Sequence, residues 1–452
     1  MSIPVIAIFD VGKTNKKLFL FDENYKIVLE RTARFVDSND EDGFPCENLE
    51  SLRLSINNSV KEIFNLKQFK VNAVNFSTYG ASLVYLDKAG RALTSLFSYL
   101  KPYPQELSKK FYEEFGGEDE ICLETASPSL GSLNSGLQLY RMKYEKRKIF
   151  KKMVYALHLP QYLSFLLTGK CYSDITSIGC HTALWDFEKK NYHRWVEKED
   201  LLQYLAPLES SESVFPIFGS ANKCKVGIGL HDSSAALIPY LLNFKMPFVL
   251  ISTGTWCISM NPFNNEPLTN IELKSDCLCY LQYKGEPVKS SRLHSGMEHE
   301  AGVQSIANYF QQDIVKYRNV SFDPEVVARI GLKSRETEKL EKVFRFSKRK
   351  ISDFNDDIEA YHQLIMDLVN LQLISTKLVM GNSTVKRIYV DGGFSYNSVY
   401  MHLLARAFSE FEVFAASMAQ ATAIGAALAI HSSWSSKSIP DEIIALKYYS
   451  AH

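Results

Sequence analysis

Val5-Ile6-Ala7-Ile8-Phe9-Asp10-Val11-Gly12-Lys13-Thr14-Asn15 is the stretch that decides the architecture of this chain. Its first five residues form the uninterrupted apolar run of a buried strand. The run breaks at Asp10 into a turn that carries a glycine and hydroxyl and amide side chains. A second strand, Lys17-Leu18-Phe19-Leu20-Phe21-Asp22, follows, and Glu23-Asn24-Tyr25 turns the chain into a third, Ile27-Val28-Leu29-Glu30. The same grammar returns near mid-chain. Pro247-Phe248-Val249-Leu250-Ile251 breaks at Ser252-Thr253-Gly254-Thr255, and Trp256-Cys257-Ile258-Ser259-Met260 runs back as the next strand. Each unit reads as strand, tight turn, antiparallel strand.

Outward from these hairpins the parallel continues. Val71-Asn72-Ala73-Val74-Asn75-Phe76 runs into Ser77-Thr78-Tyr79-Gly80, and Arg387-Ile388-Tyr389-Val390 runs into Asp391-Gly392-Gly393-Phe394-Ser395. Amphipathic helical stretches precede both, Leu52 to Phe64 and Tyr361 to Val379. The repeat spacing of roughly 240 residues is far beyond solenoid periods. It predicts an α/β fold of two related domains facing one another across a cleft, 1–240 and 241–452. The boundary lies in the Gly- and Pro-punctuated segment 219–247. Residues 100–225 are expected to be mostly helical, and Lys143 to Lys152 to be a solvated basic face.

The chain has 452 residues, with 51 Lys and Arg balancing 51 Asp and Glu. That balance argues against a nucleic-acid or anionic-membrane binder, which needs a basic surplus or patch. The N-terminal apolar run is too short for a signal peptide, and no run reaches the roughly 20 residues of a membrane span. Eight scattered cysteines, with Cys277 and Cys279 lacking a second pair, read as reduced thiols of a cytoplasmic protein. His294-Ser295-Gly296-Met297-Glu298-His299-Glu300 has no zinc-site spacing and reads as a solvated or cleft-side loop.

Three turns could hold phosphate. In Asp10-x-Gly12-Lys13-Thr14-Asn15, backbone N–H groups and the Thr14 hydroxyl can cradle phosphate oxygens. Asp10 beside an anion calls for a bridging Mg²⁺. The Gly-Lys-Thr triplet imitates a Walker A tail, but position 7 is alanine and the turn leads into a strand; a plain hairpin turn is the bland alternative. Ser252-Thr253-Gly254-Thr255 offers a second such turn. The paired Gly392 and Gly393, opening a helix from Asn397 to Phe408, let a nucleotide lie against backbone. The segment Ser417 to Ala427 is expected to be a helix whose small residues permit close packing or close ligand approach.

Val226-Gly227-Ile228-Gly229-Leu230-His231-Asp232-Ser233 places Asp232 after a strand, in the first turn of a helix. It serves there as a helix cap or as the general base taking a proton from a hydroxyl near the cleft. His231 could bond substrate or fill the cleft wall.

Taken together, Asp10-x-Gly-x-Thr, Ser-Thr-Gly-Thr-Trp, Gly-x-His-Asp-Ser and Asp-Gly-Gly-Phe-Ser resemble the FGGY family of carbohydrate kinases, nearest its rhamnulokinase/fuculokinase branch. Asp174-Ile175-Thr176-Ser177 resembles a further family segment. The resemblance implies two actin/hexokinase-like (ribonuclease H-like) domains flanking a catalytic cleft. It also implies a carbohydrate kinase using ATP and Mg²⁺ on a small sugar, such as a ketopentose or deoxyketohexose, with a homodimer as one possible assembly. By position, Asp232 becomes the general base and Asp10 the metal–phosphate residue. Gly12, Lys13, Thr14, Asn15 and Lys17 fall in the first phosphate loop, with Lys17 where the family often has Arg. Thr253, Gly254 and Thr255 fall in the second. Gly392, Gly393, Phe394 and Asn397 would border adenosine, and Thr78, Tyr79, Gly80 and His231 would line the sugar pocket. Two departures stand out. Lys13 replaces a small or hydroxyl residue, and Phe97-Ser98-Tyr99-Leu100-Lys101 lacks the family's sugar-contacting Asp and Arg. The alternative of a different class is a nucleotide-dependent sugar-binding or regulatory protein on the same fold.

Overall fold

The structure, a computed structural model, describes residues 2–13, 15–219, 223–331, 345–418 and 420–451. The opening stretch forms β1 (Ile3–Val11), β2 (Lys16–Asp22) and β3 (Ile27–Ala33), followed by α1 (Leu49–Asn65) and β4 (Phe69–Thr78). After a long excursion come β5 (Val214–Pro216), β6 (Lys225–Gly227), β7 (Leu230–His231) and α2 (Asp232–Asn243). The second half supplies β8 (Phe248–Thr253), β9 (Cys257–Asn261), β10 (Cys277–Leu281), β11 (Pro287–Leu293), α3 (Ser295–Phe310), α4 (Asp357–Met380), β12 (Arg387–Gly392), α5 (Ser398–Ala407), β13 (Glu412–Ser417), α6 (Ala421–Ala429) and β14 (Ala445–Tyr449).

The duplication read in the sequence is realised strand by strand. One sheet runs β5-β6-β4-β1-β2-β3, with β7 also on β4, and the other runs β10-β11-β9-β8-β12-β13-β14. β1–β2 and β8–β9 are antiparallel hairpins, while β1–β4 and β8–β12 are parallel. A helix, α1 or α4, covers each parallel crossover, as a parallel pair requires. Apolar strands such as Phe248 to Ile251 are buried because helices cover both faces of each sheet.

The two halves do not merely face one another. α2 leaves the first sheet and packs on the second, where Tyr240 and Phe244 sit against Phe248 and Tyr389; the Phe244 and Tyr389 rings stack at 4.4 Å. α6 leaves the second sheet and packs on the first, where Asn75 Nδ2 donates to the Ala426 carbonyl at 2.8 Å. The two helices touch directly. A Cβ on Gly425 would lie 1.8 Å from the Ala235 carbonyl oxygen, so only glycine permits the approach. One apolar cluster therefore joins Ile6, Phe21, Ala235, Tyr240, Leu250 and Ala423 across both sheets. The division expected after residue 240 falls near the C-terminal end of α2.

Some expectations fail locally. Within 100–225, helices cover 105–115, 118–124, 135–145 and 159–168. From Gly169 to Pro216 the chain instead makes two- and three-residue strands, turns and only single-turn helices at 175–178, 194–198 and 202–204. The small-residue segment is a strand through Ser417 and becomes helix only at Ala421, because the alternating Glu412–Ser417 pairs with β14. The His294–Glu300 stretch is not a loop. It opens α3, and Gly296 packs where a Cβ would meet the Gly254 carbonyl at 2.1 Å. The basic run is mostly solvated, but Lys143 pairs with Glu199 and Lys146 with Asp42.

Candidate active site

The open ends of β1, β4, β8 and β12 converge where α2 and α6 begin. Asp10, near the end of β1, accepts a 3.0 Å hydrogen bond at Oδ2 from the Thr422 hydroxyl in the first turn of α6. Asp232 is the first residue of α2. Its Oδ1 accepts from the backbone N–H of Ser233 at 2.6 Å and lies 3.2 Å from His231 Nε2. His231 is the helix cap instead, so the capping role is not what holds Asp232.

Burial dominates the electrostatics. It pushes the Asp232 carboxyl up to about 6, against the Ser233 hydrogen bonds and the positive end of the helix dipole. The side chain nevertheless keeps 32% of its surface open to the cleft, enough for substrate to reach it. Asp10 also rises to about 6, chiefly by burial, with Thr422 opposing and the nearby Asp232 charge adding to the rise. Burial depresses His231 to about 4, so the ring is neutral at physiological pH. Its Nε2 is also 3.1 Å from Cys180 Sγ.

The first turn is closed by the Gly12 N–H donating to the Asn15 carbonyl at 3.0 Å, and the second by the Gly254 N–H donating to Trp256 at 2.8 Å. These matched turns stand on matched strands. Thr14 lies outside the described residues. Asn15 Oδ1 is taken by Arg34 Nε at 2.9 Å, and Lys17 Nζ by Glu30 at 3.1 Å. Thr253 spends its hydroxyl internally, donating to the Asp391 carbonyl at 2.6 Å and accepting from the Phe394 N–H at 2.9 Å. That clasp holds the second turn against the Gly392-Gly393 turn, where Gly392 has φ +85°. Gly254, Thr255 and Gly393 are exposed. Phe394 turns inward onto Tyr400 with ring centroids 4.7 Å apart, so it offers the cleft backbone and not its ring. Asn397 caps α5 through Tyr400 N–H and donates to the Tyr361 hydroxyl at 2.7 Å.

On the other wall, Thr78 is buried, with its hydroxyl on the Tyr79 carbonyl at 2.9 Å. Gly80 lies against His231, where a Cβ would come within 2.8 Å of the ring. Tyr79 donates its hydroxyl to Glu47 Oε2 at 2.5 Å, and Glu47 also pairs with Lys16 at 2.9 Å. Tyr99 packs edge-on against Tyr79 at 6.0 Å. Burial raises its hydroxyl pKa, and the charges of Asp232 and Glu47 add to the shift. Lys16, expected as a cation of the first turn, instead serves Glu47; Glu47, Tyr99 and Thr422 come into contact here without any local motif announcing them. Lys101 turns away, buried and paired with Asp40 and, at 2.8 Å, with Asp42.

Two models of one family cover this arrangement. The model for the N-terminal domain of the FGGY family of carbohydrate kinases matches residues 5–236, and the FGGY C-terminal domain model matches 245–438. The chain belongs to the FGGY family of carbohydrate kinases. Curated relatives include rhamnulokinases of Halalkalibacterium halodurans, 28% identical over 184 residues, and Klebsiella pneumoniae strain 342, 24% identical over 281. The alignments cover 39% and 58% of this chain and 39% and 56% of those relatives, so the chain spans about half the length of the curated relatives it matches. An FGGY-type fold is shared throughout. A carbohydrate kinase from Novosphingobium aromaticivorans superposes with a TM-score of 0.81 at 20% identity, covering 100% of this chain and 95% of that one. A xylulose kinase from Lactobacillus acidophilus gives 0.79 at 16%, covering 99% and 94%. These likenesses carry the expected two-domain actin/hexokinase-like architecture. No helix among the described residues is long and apolar enough to cross a membrane.

The residues suit a nucleotide and a divalent cation. Two carboxylates stand here: the Asp232 charge adds to the rise of Asp10, which Thr422, Lys17 and Ser77 oppose, and Asp232 is compensated by Ser233. The N–H groups of Gly12, Gly254 and Gly392 close their own turns, while Gly254 and Gly393 have open space beside them. Among the described residues no group of three or more His, Cys, Asp or Glu is arranged as a metal site.

Proposed function

We propose that the protein transfers the terminal phosphoryl group of ATP to a hydroxyl of a small sugar, most suitably a ketose such as L-rhamnulose, L-fuculose or a ketopentose. The observation that carries this reading is Asp232: a carboxylate held at the cleft, partly open, and raised to about 6 by burial. At neutral pH it is ionised yet more basic than an ordinary aspartate, which suits a general base.

Bound Mg²⁺–ATP supplies the phosphoryl group and neutralises its charge. Asp232 accepts the proton of the sugar hydroxyl, and neutral His231 stands beside the carboxylate, its Nε2 3.2 Å from Oδ1. Asp10 serves the metal side of the cleft, with Thr422 fixing its orientation. Gly12, Gly254 and Thr255 line the two phosphate turns, while Gly392, Gly393 and Asn397 shape the adenosine side. Thr78, Tyr79 and Gly80 bound the sugar side. The division into halves 1–240 and 241–452 lets closure about α2 and α6 exclude water, so that the sugar and not water accepts the phosphoryl group. A nucleotide-dependent binding protein without transfer is the competing reading, favoured by Lys101 being turned toward Asp40 and Asp42.

The test is ADP release measured across ketopentoses, ketohexoses and their deoxy forms. One or a few ketoses should stimulate release and yield a sugar phosphate. Nucleotide binding with no stimulation by any sugar would favour the competing reading.

A further inference from the structure

Three lysines stand within five positions of the first phosphate turn, and the structure treats them differently. Lys16 is buried, with Nζ 2.9 Å from Glu47 Oε1, and it donates to the Lys13 carbonyl at 2.9 Å. Lys17 faces Asp10 across the β1–β2 ladder and pairs with Glu30 at 3.1 Å. Both positive charges are thus already answered by carboxylates. Lys13 is not so placed. Its Nζ lies over the rings of Tyr79 and Tyr99, 5.8 and 6.0 Å from their centroids, and among the described residues no carboxylate pairs with it.

The backbone and side chain of Lys13 have opposite constraints. Tyr79 holds Glu47, Glu47 holds Lys16, and Lys16 holds the Lys13 carbonyl, so the turn is pinned. Among the described residues the ammonium is held by two tyrosine faces, a weak contact where water can reach it. A phosphate oxygen offers a stronger, charge-assisted partner. Gly80, next to Tyr79 in the chain, lies against the His231 ring, whose Nε2 is 3.2 Å from Asp232 Oδ1, so this ammonium stands on the same side as the base.

We propose that Lys13 is a catalytic cation of this kinase: its ammonium leaves the tyrosine rings to pair with the terminal phosphoryl group and follows the charge during transfer. Lys17 is then a structural residue of the hairpin. The proposal rests on reading the Gly12–Asn15 turn as a phosphate loop. In the step, the sugar oxygen forms the new P–O bond as the bond to the leaving diphosphate breaks. The hydroxyl proton passes to Asp232, and Lys13 stays protonated throughout.

The experiment compares Lys13→Met, Lys13→Arg and Lys17→Met in the full chain, each with its melting temperature checked against wild type. Affinities for ADP and for a non-hydrolysable ATP analogue are measured by calorimetry with Mg²⁺, and kcat is measured with the best sugar. Lys13→Met should weaken the triphosphate analogue roughly tenfold to a hundredfold, leave ADP within about threefold, and lower kcat at least a hundredfold. Lys13→Arg should recover part of both, and Lys17→Met should cost less in each than Lys13→Met does. Unchanged triphosphate affinity in Lys13→Met, or a larger loss in Lys17→Met, overturns the proposal alone. A wild-type protein that binds neither nucleotide overturns the phosphate-loop reading and the proposal with it.

Discussion

The Thr422 hydroxyl donates to Asp10 Oδ2 at 3.0 Å, joining the first turn of α6 to the end of β1 across 412 positions of sequence. This bond ties the helix of the second half to an acidic residue at the end of the first strand. Thr422→Val keeps the shape and removes the donor. The Asp10 carboxyl then loses the largest influence lowering its pKa and rises further above about 6. The acid limb of the pH–rate profile should move upward, with a stability loss of about 1 kcal/mol from the unpaired acceptor. An unmoved limb would show that Asp10 does not govern it.

Asp10 and Asp232 both titrate near 6 in the folded protein, raised by burial from an ordinary aspartate value. If both must be ionised, kcat/KM falls below about pH 6 with a slope steeper than one proton. For stability the sign is opposite. Raised carboxyl pKa values mean the folded state binds more protons than the unfolded state, so these groups favour folding most below about pH 4. Their contribution is lost as pH rises through 6. Denaturation midpoints of the Asp10→Asn/Asp232→Asn double variant should therefore depend less on pH between 4 and 6 than wild type. An identical pH dependence would contradict the assigned shifts.

Gly425→Ala tests the contact between the two shared helices. The new methyl would have to occupy space 1.8 Å from the Ala235 carbonyl oxygen, so α2 and α6 must separate. The gain in helix propensity, about 1 kcal/mol, is smaller than the cost of forcing apart a core common to both sheets. A loss of at least about 3 kcal/mol is expected in urea denaturation. Wild-type stability would mean the helices are not packed this closely.

Gly80→Ala is more local. Its Cβ would come within 2.8 Å of the His231 ring, and that ring contacts Asp232. Displacing the ring should lower kcat more than tenfold while nucleotide affinity holds. If kcat is retained, His231 does not position the base.

The hairpins were legible because their information is local. Apolar runs, a Gly-bearing turn and a returning strand sit within twenty residues of one another, and the matched second copy at Phe248–Asn261 repeats them. Asp232 was legible for the same reason, falling between a strand and a helix. Thr422, Glu47 and Tyr99 were not. Each enters the site through a partner distant in sequence, as Tyr79 reaches Glu47 and Tyr99, and nothing near them in the chain marks the contact. Phe394 and Thr253 show the reverse: both lie in recognisable turns, yet one packs inward and the other binds its own backbone neighbours. The segment after Gly169 resisted reading because two-residue strands carry no periodicity to detect.

The central claim is that Asp232 accepts the proton of a sugar hydroxyl as phosphate is transferred. Its most direct measurement is single-turnover formation of sugar phosphate from ATP, comparing wild type with Asp232→Asn at pH 7.5. Asparagine preserves the shape and removes the base. Wild type should form the sugar phosphate, and Asp232→Asn should form it at least a hundredfold more slowly while binding nucleotide normally. Equal rates of product formation in the two proteins would contradict the account.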